Sequence, residues 1–414
     1  MSQKQWKRLE VVERVGRGEL TMWEAALVLG ISRRQMVRLR KAVEKYGKAA
    51  VRHGNAGRSP WNRQDELTRE RVVNLFQTKY EGFNDTHFTE KLVEEERGMK
   101  VSRATVQRWL RAARLAPARK RRPAKHRRRR EPQPNAGMLV LWDGSPHDWL
   151  EGRGPRLCLM GAVDDATGTW LPGAHFVEQE CSAAYLRLLR ELCREVGIPL
   201  AMYMDKHSSL RRNDGQWSLE EELRGEQDPT QVGRAMRELG IEIIYANSPQ
   251  AKGRVERPWG THQDRLVSEL RLIKAKTITE ANEVLARYRP DYNRHFARPP
   301  ADARPVWRKV PASVDLDRVC SFYYQATVGN DNAVRLEGGV IDIPPGPCGR
   351  GYARARVEVR QLLDGSWRIY HHGRLIAITP STTIGELRAK KQRKRSAASR
   401  AFRAGIERLA VSLP

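Results

Sequence analysis

Apolar residues recur at helical spacing up to about Leu115, then give way to short apolar runs closed by turn residues. Trp6, Leu9, Val12 and Val15 predict a helix over 4–15, which Gly16 and Gly18 end. Thr21 is placed to cap a second helix carrying Trp23, Ala26, Leu27 and Leu29, with Glu24 at the capping-box position. Gly30, Ile31 and Ser32 make a tight turn, and Ser32 opens a third helix over 33–46. Met36, Val37, Leu39 and Val43 form its inner side; Arg33, Arg34, Arg38, Arg40 and Lys41 form its outer side. Helices joined by a Gly-containing turn at this spacing predict a helix-turn-helix, whose second helix enters the DNA major groove. Residues 1–52 are expected to be such a domain, with Arg33, Arg34 and Arg38 as DNA contacts.

A second helical unit is expected over 61–117. Val72, Val73, Leu75 and Phe76 form one stripe, 86–96 a middle helix, and Ser102 caps a last helix over 103–113. Val106, Trp109 and Leu110 read as its inside, and Arg103, Arg108 and Arg111 as its outside. SRATVQRWL echoes the pattern of ISRRQMVRL: a Ser cap, an Arg, a buried pair, then Arg again. A second helix-turn-helix follows, with Arg103 and Arg108 as DNA contacts. Residues 118–136 are a basic linker, extended by self-repulsion until it meets an anion. It lies along a DNA backbone in this reading, with Arg128 among its contacts.

The period changes at Gly137. MLVLWDG, RLCLMGAVDDATG and TWLPGAHFVE predict three strands of a meander; Asp143 ends the first, and Asp164 and Asp165 shape a hairpin turn. A helix over 182–196, the strand LAMYMD ending at Asp205, a helix over 231–239 and the strand IEIIYA follow. Residues 137–290 are thus expected to form a mixed α/β sheet. Residues 312–380 contain only short strands with Gly turns, as in a small β-barrel, and 381–414 is a basic tail. The expected fold is multidomain: all-α helix-turn-helix units, a central α/β core and a C-terminal β-barrel.

Composition narrows the partners. Seventy-six Lys and Arg against 49 acids give a formal charge of +27 over 414 residues. That balance points to a polyanion, with double-stranded DNA the default because bound cations release its counterions. No apolar run approaches a membrane span, and the start MSQKQWKRLE lacks a signal-peptide core. The five cysteines are odd in number and fit no zinc spacing; read as free thiols in a chain without a signal, they imply a reducing cytosol.

Three acids stand out by position: Asp143 and Asp205 at strand ends, and Glu256 within SPQAKGRVERPW after the fifth strand. Carboxylates gathered at one sheet edge repel one another, and a hard divalent ion such as Mg²⁺ relieves this. WDGSPHDW, YMDKHS and NSPQAKGRVER, in this order, resemble the catalytic motifs of DDE transposases with a retroviral-integrase, RNase H-like core, closest to ISNCY-type insertion sequences. The resemblance implies that Asp143, Asp205 and Glu256 bind two Mg²⁺ ions, with Mn²⁺ able to substitute, and that Lys252, Arg254 and Arg257 contact DNA beside them. It implies cleavage at transposon ends, strand transfer into target DNA, and a dimer or larger multimer on DNA in the bacterial cytoplasm, associated with the nucleoid. His147 and His207 read as supporting groups. The interval from Asp205 to Glu256 exceeds the family's usual spacing, so the polar stretch 210–229 reads as an insertion. The alternative is a transposase-derived DNA-binding regulator without catalysis. In SPQAKGRVERPW, Ser248 and Pro249 suit a helix start, but Pro258 does not suit a helix interior. A helix starting later, with Pro258 in its first turn and Glu256 at its lip, is expected.

Overall fold

The computed structural model describes residues 2–52, 55, 57–59, 63–96, 99–117, 130–205, 207–212, 217–245, 253–336 and 339–387. The chain forms two compact units, Met1–Arg71 and Val72–Pro414. In the first, α1 (Gln3–Gly16), α2 (Met22–Leu29) and α3 (Arg33–Tyr46) enclose Val11, Val12, Val15, Ala25, Ala26 and Met36. The predicted capping box at Thr21 and Glu24 is present. Gly30 closes α2 in a left-handed conformation (φ 62°), open to glycine at little steric cost. The Ser32 hydroxyl accepts the Gln35 N–H and starts α3. Of the apolar positions expected on α2, Ala26 is buried and Leu29 packs against the core, but the two others do not. Trp23 and Leu27 are 69% and 74% exposed, and Trp6 of α1 is also exposed. The small Ala25 joins Ala26 on the buried side.

The next helix, α4 (Glu66–Thr78), contains the boundary between the units. From Val72 onward it packs with α5 (Asp85–Glu94) and α6 (Arg103–Ala112) around Phe76, Tyr80, Phe88, Val106 and Leu110. Asn84 caps α5 and Ser102 caps α6 through their side-chain oxygens.

A five-stranded mixed sheet follows, in the order β3-β2-β1-β4-β5. Its strands are β1 (Leu139–His147), β2 (Leu157–Asp164), β3 (His175–Val177), β4 (Ala201–Met204) and β5 (Glu242–Tyr245). The first three run antiparallel, and β4 and β5 run parallel to β1. Between and after them lie α7 (Ser182–Glu195), α8 (Leu219–Arg224), α9 (Gln231–Glu238), α10 (Gly253–Leu272) and α11 (Ile278–Phe296). Strand alternation divides the core. Val140 and Trp142 pack with Leu188, Leu189 and Met236 of α7 and α9 on one face. Leu139 and Leu141 pack with Leu266, Leu270 and Leu285 of α10 and α11 on the other. Burial on both faces explains why these strands read as continuous apolar runs. Asp164 makes the hairpin turn the sequence predicts, accepting the N–H groups of Thr167 and Gly137.

The C-terminal strands are β6 (Phe322–Thr327), β7 (Ala333–Leu336), β8 (Gly339–Asp342), β9 (Arg356–Gln361), β10 (Trp367–His371) and β11 (Arg374–Thr379), preceded by α12 (Leu316–Val319). The expected barrel is open among the described residues. The sheet β11-β10-β9-β6 has four strands, and β7 pairs only with β8. Two four-residue strands paired with each other cannot complete the ring that closure requires. Among the described residues no helix is long and apolar enough to cross a membrane.

Candidate active site

The parallel ladder of β1 and β4 pairs Leu139 with Ala201, Val140 with Met202 and Leu141 with Tyr203. Continuing that offset by two residues sets Asp143 opposite Asp205, just past the last bonded pair and at the carboxyl end of β4. Both aspartates are half-buried. Asp143 follows Leu139 and Leu141 by even steps, so it belongs to the sheet face covered by α10 and α11. It does not end its strand, as the sequence run implied. Beyond Asp143, β1 stays paired with β2 as far as His147 opposite Leu157. The antiparallel partner carries the strand on after the parallel one has left it. His147 is therefore four residues, or about 13 Å of extended strand, from Asp143, with its ring edge-on to Trp149. His207 is closer to its aspartate: its backbone N–H donates to Asp205 Oδ1 at 3.0 Å.

Glu256 is the fourth residue of α10, and Pro258 lies inside that helix rather than in its first turn. The expected later start is thus corrected. A proline at the sixth position forfeits one backbone bond near an end whose first four N–H groups lack helical partners in any case. Downstream, Trp259 is buried against Gly161, the β2 partner of Asp143. His262 is fully buried and stacks on Trp170 at 3.8 Å; burial pushes its imidazole down to about 3, so it packs as a neutral ring. Gln263 donates to the Ser145 hydroxyl at 3.3 Å. These contacts fix α10 on the β1–β2 pair at the level of Asp143.

No protein-family model matches the chain. It is 38% identical over 368 residues to y4bF of Sinorhizobium fredii, a protein that bears the name of a transposase, covering 88% of this chain and 78% of that one. It is 33% identical over 325 residues to the transposase for insertion sequence IS1202 of Streptococcus pneumoniae, covering 70% and 68%. The chain belongs to the transposase family. A solved intasome of simian T-cell lymphotropic virus, in complex with a PP2A regulatory subunit, aligns with 75% of this transposase and 99% of its own chain, at 13% identity and a TM-score of 0.31.

The cations of the transposase divide by position. Arg33, Arg34 and Arg38 are exposed on α3, and Arg103 and Arg108 on α6. Arg111 is instead bonded to Asp85 at 2.8 Å. Arg257 is exposed in the second turn of α10, and Arg254 lies in the first. Lys252, Arg128, Ser248 and Pro249 fall outside the described residues, as do 388–414 of the basic tail.

One neighbour of the aspartates carries no signal in the sequence. Glu180, between β3 and α7, accepts the Tyr185 hydroxyl at 2.5 Å and lies 3.4 Å from His207 Nδ1. Tyr185 is pushed well above the ordinary phenol range by burial and by the charges of Glu180, Asp143 and Asp205. Cys158 is pushed up to about 12 by burial, Glu180 and Asp143. Three carboxylates therefore act on one small region. Their oxygens are hard donors, the chemistry that Mg²⁺ and Mn²⁺ take, so Asp143 and Asp205 fit a divalent ion. Glu94, Asp291 and His295 also offer ligand atoms within 4.8 Å of one another. Arg294 bonds both Glu94 and Asp291 there, and an ion pair network accounts for that cluster.

Proposed function

We propose that this transposase cleaves transposon ends and joins them to target DNA as a DDE enzyme, with Asp143, Asp205 and Glu256 as its metal-binding triad. The observation that carries this reading is the shared ladder offset of Asp143 and Asp205, beside the helix that bears Glu256. Glu256 lies three residues before Trp259, whose burial against Gly161 seats α10 beside β1 and β2. The strand order, three antiparallel then two parallel, agrees with the RNase H-like core that the motifs imply.

Two bound Mg²⁺ ions, replaceable by Mn²⁺, would activate the attacking oxygen and steady the leaving one in phosphodiester displacement. Lys252, Arg254 and Arg257 would hold the flanking phosphates. Water attacks at the transposon end and frees a 3′-hydroxyl, which then attacks a target phosphodiester; no covalent protein intermediate forms. The turn between α2 and α3 supports a helix-turn-helix presenting Arg33, Arg34 and Arg38 to a major groove, with Arg103 and Arg108 on α6 extending the site. Arg128 would follow the backbone between them. Two or more copies on paired ends complete the assembly.

Linear DNA carrying the element's ends, incubated with protein and Mg²⁺, tests this. Free 3′-hydroxyl ends and strand-transfer products are expected, and Asp143→Asn should lose both while its DNA mobility shift persists. Wild-type protein that binds the ends but never cuts them would favour the DNA-binding regulator instead.

A further inference from the structure

Backbone hydrogen bonds between β1 and β4 stop at Leu141 and Tyr203, two residues short of the aspartates. Something else must fix the separation of Asp143 and Asp205. We infer that Glu180 does so, as a positioning residue that ties the two chain segments together; this rests on the reading of both aspartates as metal ligands.

The geometry is specific. Glu180 Oε2 lies so close to Gly144, the residue after Asp143, that a Cβ there would come within 2.6 Å of it. Oε1 takes the Tyr185 hydroxyl, whose ring is buried beneath β1 against Trp142. His207 Nδ1 sits 3.4 Å from the same oxygen, and the His207 backbone N–H donates to Asp205. One carboxylate thus touches the neighbour of Asp143 and the turn that orients Asp205, and Tyr185 anchors it to the core. Gly144 has no left-handed φ, so the closeness of Glu180 is the constraint that calls for glycine there.

Groups that orient metal ligands from behind typically alter metal affinity about 10- to 100-fold when removed. Glu180→Ala should raise the Mg²⁺ concentration for half-maximal cleavage about tenfold. It should weaken Mn²⁺ binding to the DNA-free protein, followed by calorimetry, by a similar factor. Glu180→Gln should keep both within about twofold, because an amide oxygen still accepts from the Tyr185 hydroxyl. Gly144→Ala should mimic Glu180→Ala and add little further in the double variant, since only the 3.1 Å approach to Cys158 Sγ then remains. Should Glu180→Ala fail to fold, Tyr185→Phe removes only the hydroxyl and should move Mn²⁺ affinity the same way. Wild-type Mn²⁺ binding in Glu180→Ala, or in Tyr185→Phe where that stands in for it, would overturn the inference. So would equal loss in Glu180→Ala and Glu180→Gln, which would make the charge itself the active feature. Undiminished Mn²⁺ binding in Asp143→Asn would instead overturn the triad on which the inference rests.

Discussion

Trp259 of α10 lies on Gly161 of β2: a Cβ at position 161 would come within 3.0 Å of the Trp259 ring and 2.6 Å of Trp170 Nε1. Gly161 is also the register partner of Asp143. The helix carrying Glu256 is thus seated on the backbone that carries the first aspartate. Gly161→Ala would push two buried indoles apart, an overpacking cost of about 1–3 kcal/mol. Thermal unfolding should show the loss. DNA cleavage should fall further than stability does, because α10 would shift against β1. A variant as stable and active as wild type would refute the seating of α10 as the source of alignment.

His262 carries a second prediction. Burial holds its folded pKa near 3 against an ordinary 6.5. Above pH 6.5 the ring is neutral in both states and its packing is retained. As pH falls from 6.5 toward 3, the unfolded chain takes up a proton that the folded chain refuses, so stability is lost. The slope approaches roughly 1.4 kcal/mol per pH unit. His262→Phe keeps an aromatic against Trp170, Tyr288 and Tyr292 but cannot titrate. Urea titrations between pH 7 and 4 should give the variant a shallower acid slope; identical slopes would show that His262 is not held neutral.

What was legible in the sequence was local. The caps at Thr21, Ser32 and Ser102 and the strand runs around Leu141 and Met202 depend on neighbours a few residues away, and the structure has them. The departures are non-local. Trp23 and Leu27 face outward because α2 is short and its packing side is chosen by α1 and α3. Asp143 sits mid-strand because β2 extends the pairing of β1. Glu180 was invisible because its partners, Tyr185, Gly144 and His207, converge only in space, and a lone acid before a helix carries no pattern.

Helix α5 is held to α10 through charge, which yields a third prediction. Glu269 of α10 bonds His87 Nε2 at 2.7 Å and Lys91 at 2.8 Å, with Lys91 and Glu269 side chains only 12% and 15% exposed. Burial opposes ionisation of Glu269, yet His87 and Lys91 hold its carboxyl below the ordinary range. Glu269→Gln leaves Lys91 with Glu95 alone and should cost about 1–3 kcal/mol, below the 3–5 of a fully buried pair because some solvent reaches it. Replacing both partners, Lys91→Met with Glu269→Leu, should cost less than the single change, since neither buried charge remains and Glu95, which loses Lys91, is exposed to solvent. Equilibrium unfolding of the three variants decides this; a double variant weaker than the single would reject it.

The exposed arginines give the last prediction. Arg33 opens α3, the end that the proposed helix-turn-helix would set against base edges, whereas Arg108 stands exposed on α6. A base contact and a phosphate contact fail differently. Arg33→Ala should cost roughly 1–3 kcal/mol on the cognate end and flatten sequence preference at one position. Arg108→Ala should weaken all DNA alike and lower the slope of log affinity against log salt by about one unit. Anisotropy titrations of end-bearing and scrambled duplexes over a range of salt separate the two. An Arg33→Ala protein that loses affinity equally for both duplexes would remove α3 from the role of sequence reader and leave it holding phosphate only.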